Sequence, residues 1–498
     1  MTASPTSELG QVVSAIVAAA SSAATIWSAT SAAQRRTVLN AVADMLDAHA
    51  DELVALAIAE SHLTDGRLRG ELKRTTFQLR LFGEVLEEGS FLDARIDHAD
   101  PGWGMGPRPD LRRVLEPLGP VVVFAASNFP FAFSVAGGDT ASALAAGCPV
   151  IVKAHFGHPE LSALTGRLVV EAFSGAGAPN GLLTLIFGED AGRQALTDRR
   201  VKAASFTGSI TGGRALFDLA NARPEPIPFF GEMGSINPVF VTAAAAQLRA
   251  EQIARGLIDS FTLGAGQFCT KPGVVFVPGK SVIIELLGQL TLPAAAPLLN
   301  DRIQHGYTAV LEGLAGHPAV EVLSQGSHAF GTPPTPTVLA STLEAVLADP
   351  RVLLSECFGP TVLAVKYRDE QDLLTAAQAV DGQLTATIVG EQSDRIVPEL
   401  MRLLAGKAGR LLWNQWPTGV SVTYAQQHGG PYPATTSASS TSVGTGAISR
   451  FLRPVAYQGF PNALLPPALD DNNSLGISRR VDGTLIIGRT GSIGGSEQ

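Results

Sequence analysis

The chain has 498 residues, of which 45% are hydrophobic and 16% are charged, and its formal net charge at pH 7 is −9. At roughly 100–200 residues per domain, this length predicts a globular protein of two or three domains. The acidic balance argues against nucleic acid as the main partner, because a phosphate backbone attracts a basic surface.

The cysteine content indicates a reducing compartment. Cys148, Cys269 and Cys357 are too few for a disulfide framework and form no CxxC pair, so we expect free thiols and no metal site. The apolar stretch 12–26 has no basic residue before it, unlike a signal peptide. No run reaches the roughly 18–20 apolar residues that cross a bilayer. We therefore predict a cytoplasmic protein without a membrane partner.

The first ninety residues predict helices, and the next twenty a turn-rich excursion. Apolar side chains between residues 36 and 56 recur near a 3.6-residue period. Residues 92–112 are rich in Asp, Gly and Pro. Apolar strands then alternate with helical stretches at 121–125, 133–146, 149–152, 160–173, 182–187, 203–207 and 229–231. This alternation predicts a parallel sheet covered on both faces, which binds nucleotides at the carboxyl ends of its strands.

From about residue 237 the alternation restarts and predicts a second α/β domain. We expect a helix at 247–263 and strands at 238–241, 274–277, 362–365, 385–389 and 411–413. Residues 430–446 are rich in Gly, Ser, Thr and Pro, which predicts a loop.

Three side chains lie where chemistry is possible. Cys269 follows a glycine-rich turn, where its thiolate can reach a carbonyl compound. Glu232 lies between glycines at a strand end, where loss of water would raise its pKa toward that of a general base. Asn128 follows strand 121–125 and can donate a hydrogen bond to an oxyanion. Taken singly, each has a plain alternative: a buried inert cysteine, a solvated turn glutamate and a helix N-cap.

Two more segments are weak signals when taken alone. Residues 206–213, Phe-Thr-Gly-Ser-Ile-Thr-Gly-Gly, follow a strand and open a helix. Backbone N–H groups bind phosphate in that context, although the segment is not GxGxxG. Residues 355–360, Ser-Glu-Cys-Phe-Gly-Pro, look like an ordinary loop.

Taken together and in this order, the five segments resemble the aldehyde dehydrogenase superfamily over roughly residues 10–460. The resemblance implies an α/β fold of the aldehyde dehydrogenase type. It implies a Rossmann-like cofactor domain (1–96 and 119–236), an α/β catalytic domain (237–430) and a small oligomerisation element with the C-terminal segment (97–118 and 431–498). A homodimer or homotetramer is expected.

The resemblance also implies a role for individual residues. Cys269 matches the nucleophile, Glu232 the general base and Asn128 the oxyanion-hole amide. The implied reaction is attack of the thiolate on a small aldehyde, followed by hydrolysis of a thioester by water that Glu232 activates. The residues matched to NAD(P) binding are Lys153, Gly208, Ser209, Gly213, Glu356, Phe358, Ser127 and His155.

Cofactor preference follows from a departure from the family pattern. NAD-preferring members often carry an acid three residues after the lysine, where this chain has Phe156. Without a carboxylate there, we expect NADP to be accepted as well as NAD, with Lys153 and either His155 or His158 favouring the 2′-phosphate. The phosphate turn also departs, reading Ser-Ile-Thr-Gly at 209–212 where many relatives have Ser-Thr-Glu-Val.

Further segments narrow the resemblance. Residues 109–113, 132–139, 417–420, 428–435, 450–454 and 479–483 look like those of α-ketoglutaric semialdehyde (2,5-dioxopentanoate) dehydrogenases, which make 2-oxoglutarate. NADP-dependent fatty aldehyde dehydrogenases resemble the same subfamily and remain an alternative. Phe131, Phe268 and Trp416 are candidates for the substrate pocket, with plain core positions as the alternative, and His428 is interpreted as structural.

Two rival functions stay open on the sequence. A cysteine hydrolase would need a histidine beside Cys269, and its own segment contains none. A non-catalytic homologue is the other rival, and the joint retention of Cys269, Glu232 and Asn128 argues against it.

Overall fold

The computed structural model describes residues 8–326 and 328–488, so the ends of the predicted segments 1–96 and 431–498 lie outside the described residues. The α-helices, numbered in chain order, are α1 (Glu8–Ser28), α2 (Ala32–Ala48), α3 (Ala50–Ser61), α4 (Asp65–Glu88), α5 (Gly138–Ala146), α6 (Pro159–Gly175), α7 (Glu189–Thr197), α8 (Ile210–Asn221), α9 (Ala243–Thr262), α10 (Ile283–Gln289), α11 (Asp301–Ala315), α12 (Leu343–Ala348), α13 (Pro350–Leu353), α14 (Gln371–Ala379) and α15 (Val397–Ala405). The strands are β1 (Arg95–Asp97), β2 (Leu111–Pro117), β3 (Val121–Phe124), β4 (Val150–Lys153), β5 (Leu183–Ile186), β6 (Ala203–Thr207), β7 (Phe229–Glu232), β8 (Val239–Val241), β9 (Val274–Pro278), β10 (Glu321–Gln325), β11 (Thr337–Thr342), β12 (Thr361–Tyr367), β13 (Gln383–Val389), β14 (Ala408–Trp413), β15 (Leu452–Gln458), β16 (Arg479–Val481) and β17 (Thr484–Ile486).

The first α/β alternation forms a five-stranded sheet in the order β5-β4-β3-β6-β7, with every pair parallel. Its central strand β3 is buried along its whole length, which is why the sequence shows an unbroken apolar run there. The strand order reverses between β3 and β6. Ligands bind open α/β sheets at such a switch point, so this position favours a nucleotide site. The helix predicted at 133–146 starts later, because residues 130–137 form turns before α5.

The second alternation forms a seven-stranded sheet in the order β10-β11-β12-β9-β8-β13-β14. All pairs are parallel except β10 with β11. The sequence pattern did not indicate β10, because this edge strand is mostly exposed and carries no apolar run. Phe240 and Phe276 stack at the centre with ring centroids 5.0 Å apart.

A third sheet joins two distant parts of the chain in the order β15-β2-β1-β16-β17. Its strands lie at 95–117 and 452–486, close to the segments predicted for oligomerisation. The predicted segment 431–498 differs in one respect. Residues 434–442 do not join this sheet, and they contact the carboxyl end of β7 instead, where the Met233 N–H donates to the Ala434 carbonyl at 2.8 Å.

The helix α1 is long and apolar enough to cross a membrane by length and composition, with a mean hydropathy of 1.6. The expectation that no stretch reaches this length does not hold for it. One face of the helix nevertheless packs on the first sheet, where Val13 and Val17 share a core cluster with Val122. The Trp27 Nε1 donates to the Leu144 carbonyl at 2.9 Å. The helix therefore packs as part of the first α/β layer.

Candidate active site

The loop that carries Cys269 has an unusual backbone. Residues 264–266 have successive positive φ angles of 57°, 55° and 69°, a conformation that favours glycine. A Cβ atom on Gly266 would lie 2.2 Å from the carbonyl oxygen of Gly359. The missing side chain therefore lets the Cys269 loop pack directly against segment 355–360, so two of the five sequence segments meet here.

Two buried residues that the sequence analysis did not single out hold this loop. The Asn237 Nδ2 donates to the carbonyls of Cys269 and Lys271, at 2.8 and 2.9 Å. The Lys271 Nζ donates to the carbonyls of Cys357 and Thr361, at 2.9 and 2.8 Å. In the sequence, each is a lone polar residue followed by proline, which is a weak signal. Their bonds satisfy carbonyls that would otherwise be buried without donors.

The structure brings Glu232 and Cys269 together and adds His428 between them. The Cys269 Sγ lies 3.5 Å from the His428 Nε2, which lies 2.8 Å from the Glu232 Oε1. The Ser442 Oγ donates to the other carboxylate oxygen at 2.5 Å. The interpretation of His428 as a structural residue is wrong about its position. It lies 159 residues from Cys269 along the chain, so no local pattern could pair the two.

Glu232, Cys269 and His428 also have the side-chain types that bind metals, and their ligand atoms all lie within 4.8 Å of one another. The hydrogen bonds from His428 and Ser442 already occupy both carboxylate oxygens of Glu232. These contacts explain the cluster as a hydrogen-bonded network.

The proton on His428 follows from its partners. An ionised carboxylate only accepts hydrogen bonds, so the Nε2 that faces Glu232 carries a proton. The Nδ1 is buried and has no partner within residues 8–326 and 328–488. The Nε2 therefore holds Glu232 and has no lone pair free for the Cys269 thiol. In a Cys–His–carboxylate triad, the two ring nitrogens serve one partner each, whereas here Cys269 and Glu232 face the same nitrogen.

The two catalytic candidates shift in opposite directions. Burial alone would raise the pKa of Glu232, but the electrostatic effect and hydrogen bond of His428, with the bond from Ser442, outweigh it and lower the pKa. The raised pKa expected for Glu232 is therefore wrong for this arrangement. Burial raises the pKa of the Cys269 thiol well above its usual range, and the adjacent Glu232 charge adds to the rise. At neutral pH the site thus holds an ionised carboxylate beside a protonated thiol.

Asn128 lies after β3 with only 8% of its surface exposed. Its Nδ2 donates to the Gln267 carbonyl at 3.2 Å, which places the amide beside the Cys269 loop. Within the described part of the chain, the Cys269 N–H has no hydrogen-bond acceptor. Two donors of the kind that stabilise an oxyanion therefore lie at the nucleophile.

The helix α4 fixes the segment that carries Asn128. The Arg67 Nη2 donates to the Asn128 carbonyl at 2.6 Å. One turn later, the Glu71 Oε1 accepts the N–H groups of Phe131 and Ala132, at 2.8 and 3.0 Å. Residues spaced by four share a helix face, so a single stripe of α4 satisfies the irregular backbone around the amide.

The residues predicted to bind the cofactor line the join between the two α/β layers. Gly208 ends the turn after β6, and Ser209 caps α8, its Oγ accepting the Gly212 N–H at 3.2 Å. Gly213 lies against Met233, where a Cβ would meet the sulfur at 2.7 Å. A helix N-terminus that follows a parallel strand at the switch point suits a pyrophosphate group.

Glu356 and Phe358 belong to the segment that packs on the Cys269 loop. Burial raises the pKa of Glu356 to about 7, against the Ser235 N–H and Lys271, which lower it. The Ser235 N–H is 3.4 Å from the Glu356 Oε1, so this carboxyl keeps acceptor capacity for a ribose hydroxyl. Its position beside the start of α8 fits the expected cofactor groove.

The charges near Lys153 differ from the expectation for a 2′-phosphate site. Burial first, then the charges of His158 and Lys153, lower the pKa of His155 to about 3, so His155 carries no charge at neutral pH. His158 is buried and bonds the Ala126 carbonyl and the Ser162 hydroxyl, and burial lowers its pKa. Neither histidine supplies the expected positive charge.

Two other charged residues lie there. Arg302 of α11 stands over the Phe156 ring at 5.7 Å and forms an ion pair with Glu189 at 3.4 Å. Both act electrostatically on Lys153. The positive charge at this position therefore comes from Lys153 and Arg302, and a carboxylate does lie nearby, on α7.

The remaining predicted residues divide. Ser127 is half-buried in the turn after β3. Phe268 contacts Phe129 edge to face at 5.4 Å, beside Cys269. Phe131 belongs to the main core cluster of the first layer, and Trp416 packs against α9 at Gly256. The aromatic rings nearest the site are Phe129, Phe133 and Phe268.

Comparison with known proteins agrees with this geometry. A family model described as "Aldehyde dehydrogenase family" matches residues 4–449. An alpha-ketoglutaric semialdehyde dehydrogenase of Acinetobacter baylyi is 43% identical over 91% of this chain and 87% of its own length. The corresponding enzyme 2 of Azospirillum brasilense is 46% identical over the same shares of both chains.

Solved structures support the fold at lower identity. A methylmalonate-semialdehyde dehydrogenase of Oceanimonas doudoroffii superposes with a TM-score of 0.75 at 19% identity, covering 91% of both chains. An NADP-dependent glyceraldehyde-3-phosphate dehydrogenase of Bacillus halodurans, complexed with NADP, gives 0.74 at 22% identity, covering 90% of this chain and 91% of its own. With these matches and the thiol, carboxylate and amide gathered at one site, the chain belongs to the aldehyde dehydrogenase family, whose members oxidise aldehydes with NAD(P).

Proposed function

We propose that this protein oxidises 2,5-dioxopentanoate to 2-oxoglutarate with NADP or NAD. The two relatives at 43% and 46% identity are named for that semialdehyde, and the resemblance spans 91% of the chain. The structural observation that carries the proposal is the contact network of Cys269, His428 and Glu232. It puts a nucleophile and a base in one buried site.

In the proposed mechanism, Glu232 takes the proton of the Cys269 thiol as the sulfur attacks the aldehyde carbon. The raised pKa of Cys269 means that the thiol needs such a base. The Asn128 amide and the Cys269 N–H stabilise the oxyanion that forms, and losing one such donor typically costs about 10²–10³ in kcat. The bound nicotinamide accepts the hydride. Glu232 then deprotonates the water that hydrolyses the thioester on Cys269.

NADP use rests on the charges around the adenosine end. Lys153 and Arg302 supply two positive groups, whereas Glu189 is the opposing carboxylate. Phe156 leaves no acid on the β4–α6 turn at the position where NAD-preferring relatives often carry one. We expect Lys153, Gly208, Ser209, Gly213, Glu356, Phe358, Ser127 and His155 to contact the cofactor.

We further propose that the third sheet, with the turn segment before β2, joins subunits in a homodimer or homotetramer. This region exposes large apolar side chains, among them Met105 at 90% and Ile487 at 63% exposure, and apolar groups of this kind favour protein contacts. The first sheet and the helices before it would form the cofactor domain, and the second sheet the catalytic domain. The three free cysteines fit the cytoplasm.

The contact between Cys269 and His428 meets one requirement of a cysteine hydrolase. Its geometry does not meet the other, because Glu232 orients the same ring nitrogen that faces the thiol. A fatty aldehyde dehydrogenase remains the nearest alternative within the same chemistry. Chain-length preference separates it from the proposed function.

The test is the initial rate of NADPH and NADH formation with 2,5-dioxopentanoate, succinic semialdehyde and a long-chain aldehyde. We expect the dioxo acid to give the highest kcat/KM, and Cys269→Ala to lower the rate at least about a thousandfold. Cys148→Ala is the matched control and should keep its activity, because that thiol is buried in the core. A preference for the long-chain aldehyde would overturn the substrate, and equal activity of Cys269→Ala would overturn the mechanism.

A further inference from the structure

Three guanidinium groups act electrostatically on Cys269, and two of them already have partners. Arg67 donates to the Asn128 carbonyl and lies over the Phe129 and Phe268 rings, at 5.1 and 4.5 Å. Arg410 donates through Nη2 to the Pro417 carbonyl at 2.7 Å, and through both terminal nitrogens to the Gly419 carbonyl at 3.1 Å. Their cationic groups are therefore committed to the fold.

Arg74 is different. It lies on the same stripe of α4, seven residues after Arg67, and is half-buried. Within residues 8–326 and 328–488, its guanidinium has no hydrogen-bond or ion-pair partner. Its Cζ stands 5.5 Å from the centroid of the Phe133 ring, a weak contact compared with a carboxylate.

The position of Arg74 connects it to the reacting atoms. The Phe133 ring lies 6.4 Å from the imidazole of His428, whose Nε2 is 3.5 Å from the Cys269 Sγ. One aromatic ring thus separates the free guanidinium from the nucleophile's own network. The cluster around Phe133 is otherwise apolar, with Leu81 and Val422 in it.

The local charge balance also leaves Arg74 without a full counter-charge. Glu71 lies between Arg67 and Arg74 on the helix, and its Oε1 is already bonded to the Phe131 and Ala132 N–H groups. Of the two arginines, Arg67 has the larger electrostatic effect on Glu71. Two cations and one anion leave one positive charge on this stripe, and a partly buried cation without a partner is costly for the fold alone.

We propose that Arg74 binds the carboxylate of the substrate while Cys269 attacks the aldehyde at its other end. The inference rests on the proposed function, because it requires an aldehyde that carries an acid group. In 2,5-dioxopentanoate the carboxylate and the aldehyde carbon are the two ends of a short chain. A guanidinium binds a carboxylate through two parallel N–H bonds. Arg74 thereby selects short acidic aldehydes over neutral ones.

A competing explanation is that Arg74 stabilises the thiolate. The charges of Glu71, Cys269 and Glu232 all act on it and oppose the lowering of its pKa by burial. If that were its role, neutral and acidic aldehydes would lose activity equally when the charge is removed. The two explanations therefore differ in substrate dependence.

The experiment compares Arg74→Gln and Arg74→Met with the wild type on 2,5-dioxopentanoate, succinic semialdehyde and pentanal, with saturating NADP. We expect kcat/KM for both acids to fall about 100-fold, mostly through KM, as two charge-assisted hydrogen bonds predict. Pentanal should change by less than about threefold. Arg80→Gln is the matched control on α4, since that arginine bonds Asp44 and Asp47 at the surface, and it should behave as the wild type.

The midpoint of thermal unfolding gives an independent readout. We expect both Arg74 variants to unfold no lower than the wild type, because no contact in the fold is lost. An equal fall for acids and pentanal would overturn the proposal in favour of the thiolate role, and unchanged kinetics on the acids would overturn it outright. A wild type that oxidises pentanal but neither acid would instead refute the proposed substrate class.

Discussion

His428 performs two tasks for the carboxyl group of Glu232. Its Nε2 donates to the Oε1 at 2.8 Å, and its electrostatic effect helps to keep the pKa of Glu232 below the ordinary value despite burial. Glu232 is thereby kept ionised as a base and held beside Cys269. We regard His428 as a positioning residue, because the proton it would need to accept from the thiol has no free lone pair to receive it.

Replacing His428 by leucine should therefore move the pH dependence of catalysis. Without the donor, the pKa of Glu232 rises, so a larger share of the base is protonated at a given pH. We expect the acid limb of the kcat profile to shift upward by about one to two pH units, which corresponds to ~1.5–3 kcal/mol for a hydrogen bond to a charged group. The profile of kcat against pH measures the shift.

Two further variants control this experiment. His428→Gln keeps a donor near the position of the Nε2 and should restore most of the acid limb. His317→Gln removes a histidine near Asp349, outside the site, and should leave the profile unchanged. An unshifted acid limb in His428→Leu would show that Glu232 does not depend on the histidine.

At the scale of elements, α4 is the support of the active site. One stripe of this helix carries Arg67, Glu71 and Arg74, spaced so that they face the same side. Two of them bond the turn that presents Asn128, and the third is free. The segment after β3 has no regular structure of its own, so these bonds replace the ladder bonds that a strand or helix would provide.

Glu71→Ala should weaken both the fold and the oxyanion contact. It leaves the N–H groups of Phe131 and Ala132 buried without an acceptor, at a cost of about 1–3 kcal/mol each. We expect a lower unfolding midpoint and a fall of about tenfold or more in kcat, measured by calorimetry and steady-state kinetics. Glu84→Ala, exposed on the same helix, serves as the control. Full kcat in Glu71→Ala would contradict the role assigned to α4.

At the scale of the whole molecule, the site exists only where separate parts of the chain meet. The nucleophile comes from the second alternation, the carboxylate and amide from the first, and the histidine from a loop after β14. The adenosine end is shared in the same way, because Arg302 comes from α11 and Lys153 ends β4. Cofactor choice is therefore a property of the join between the layers.

Arg302→Gln should reduce affinity for NADP more than for NAD. The 2′-phosphate has a charge for the guanidinium to neutralise, whereas the free hydroxyl of NAD has none. We expect the Kd for NADP to rise about tenfold and that for NAD to change less than about twofold. Titration calorimetry measures both. Arg255→Gln, a surface arginine paired with Glu251, should change neither, and an equal loss of both cofactors would contradict the assignment.

The sequence by itself determined the α/β class, the alternation of strands and helices through both layers, and the identity of Cys269, Glu232 and Asn128 as candidates. These depend on local periodicity and on short segments, which remain legible without three-dimensional contacts. It also indicated the turn-rich segment before β2, because Gly and Pro disfavour regular structure wherever they occur.

Only the tertiary structure decided which side chains act on one another. It added His428, Ser442 and Asn237 to the site, moved Phe131 and Trp416 into packed positions, and removed the charge from His155. Each depends on residues far apart in the chain or on burial, which no local pattern encodes. A pKa depends on what surrounds a group, so the direction of the shift at Glu232 required the position of His428.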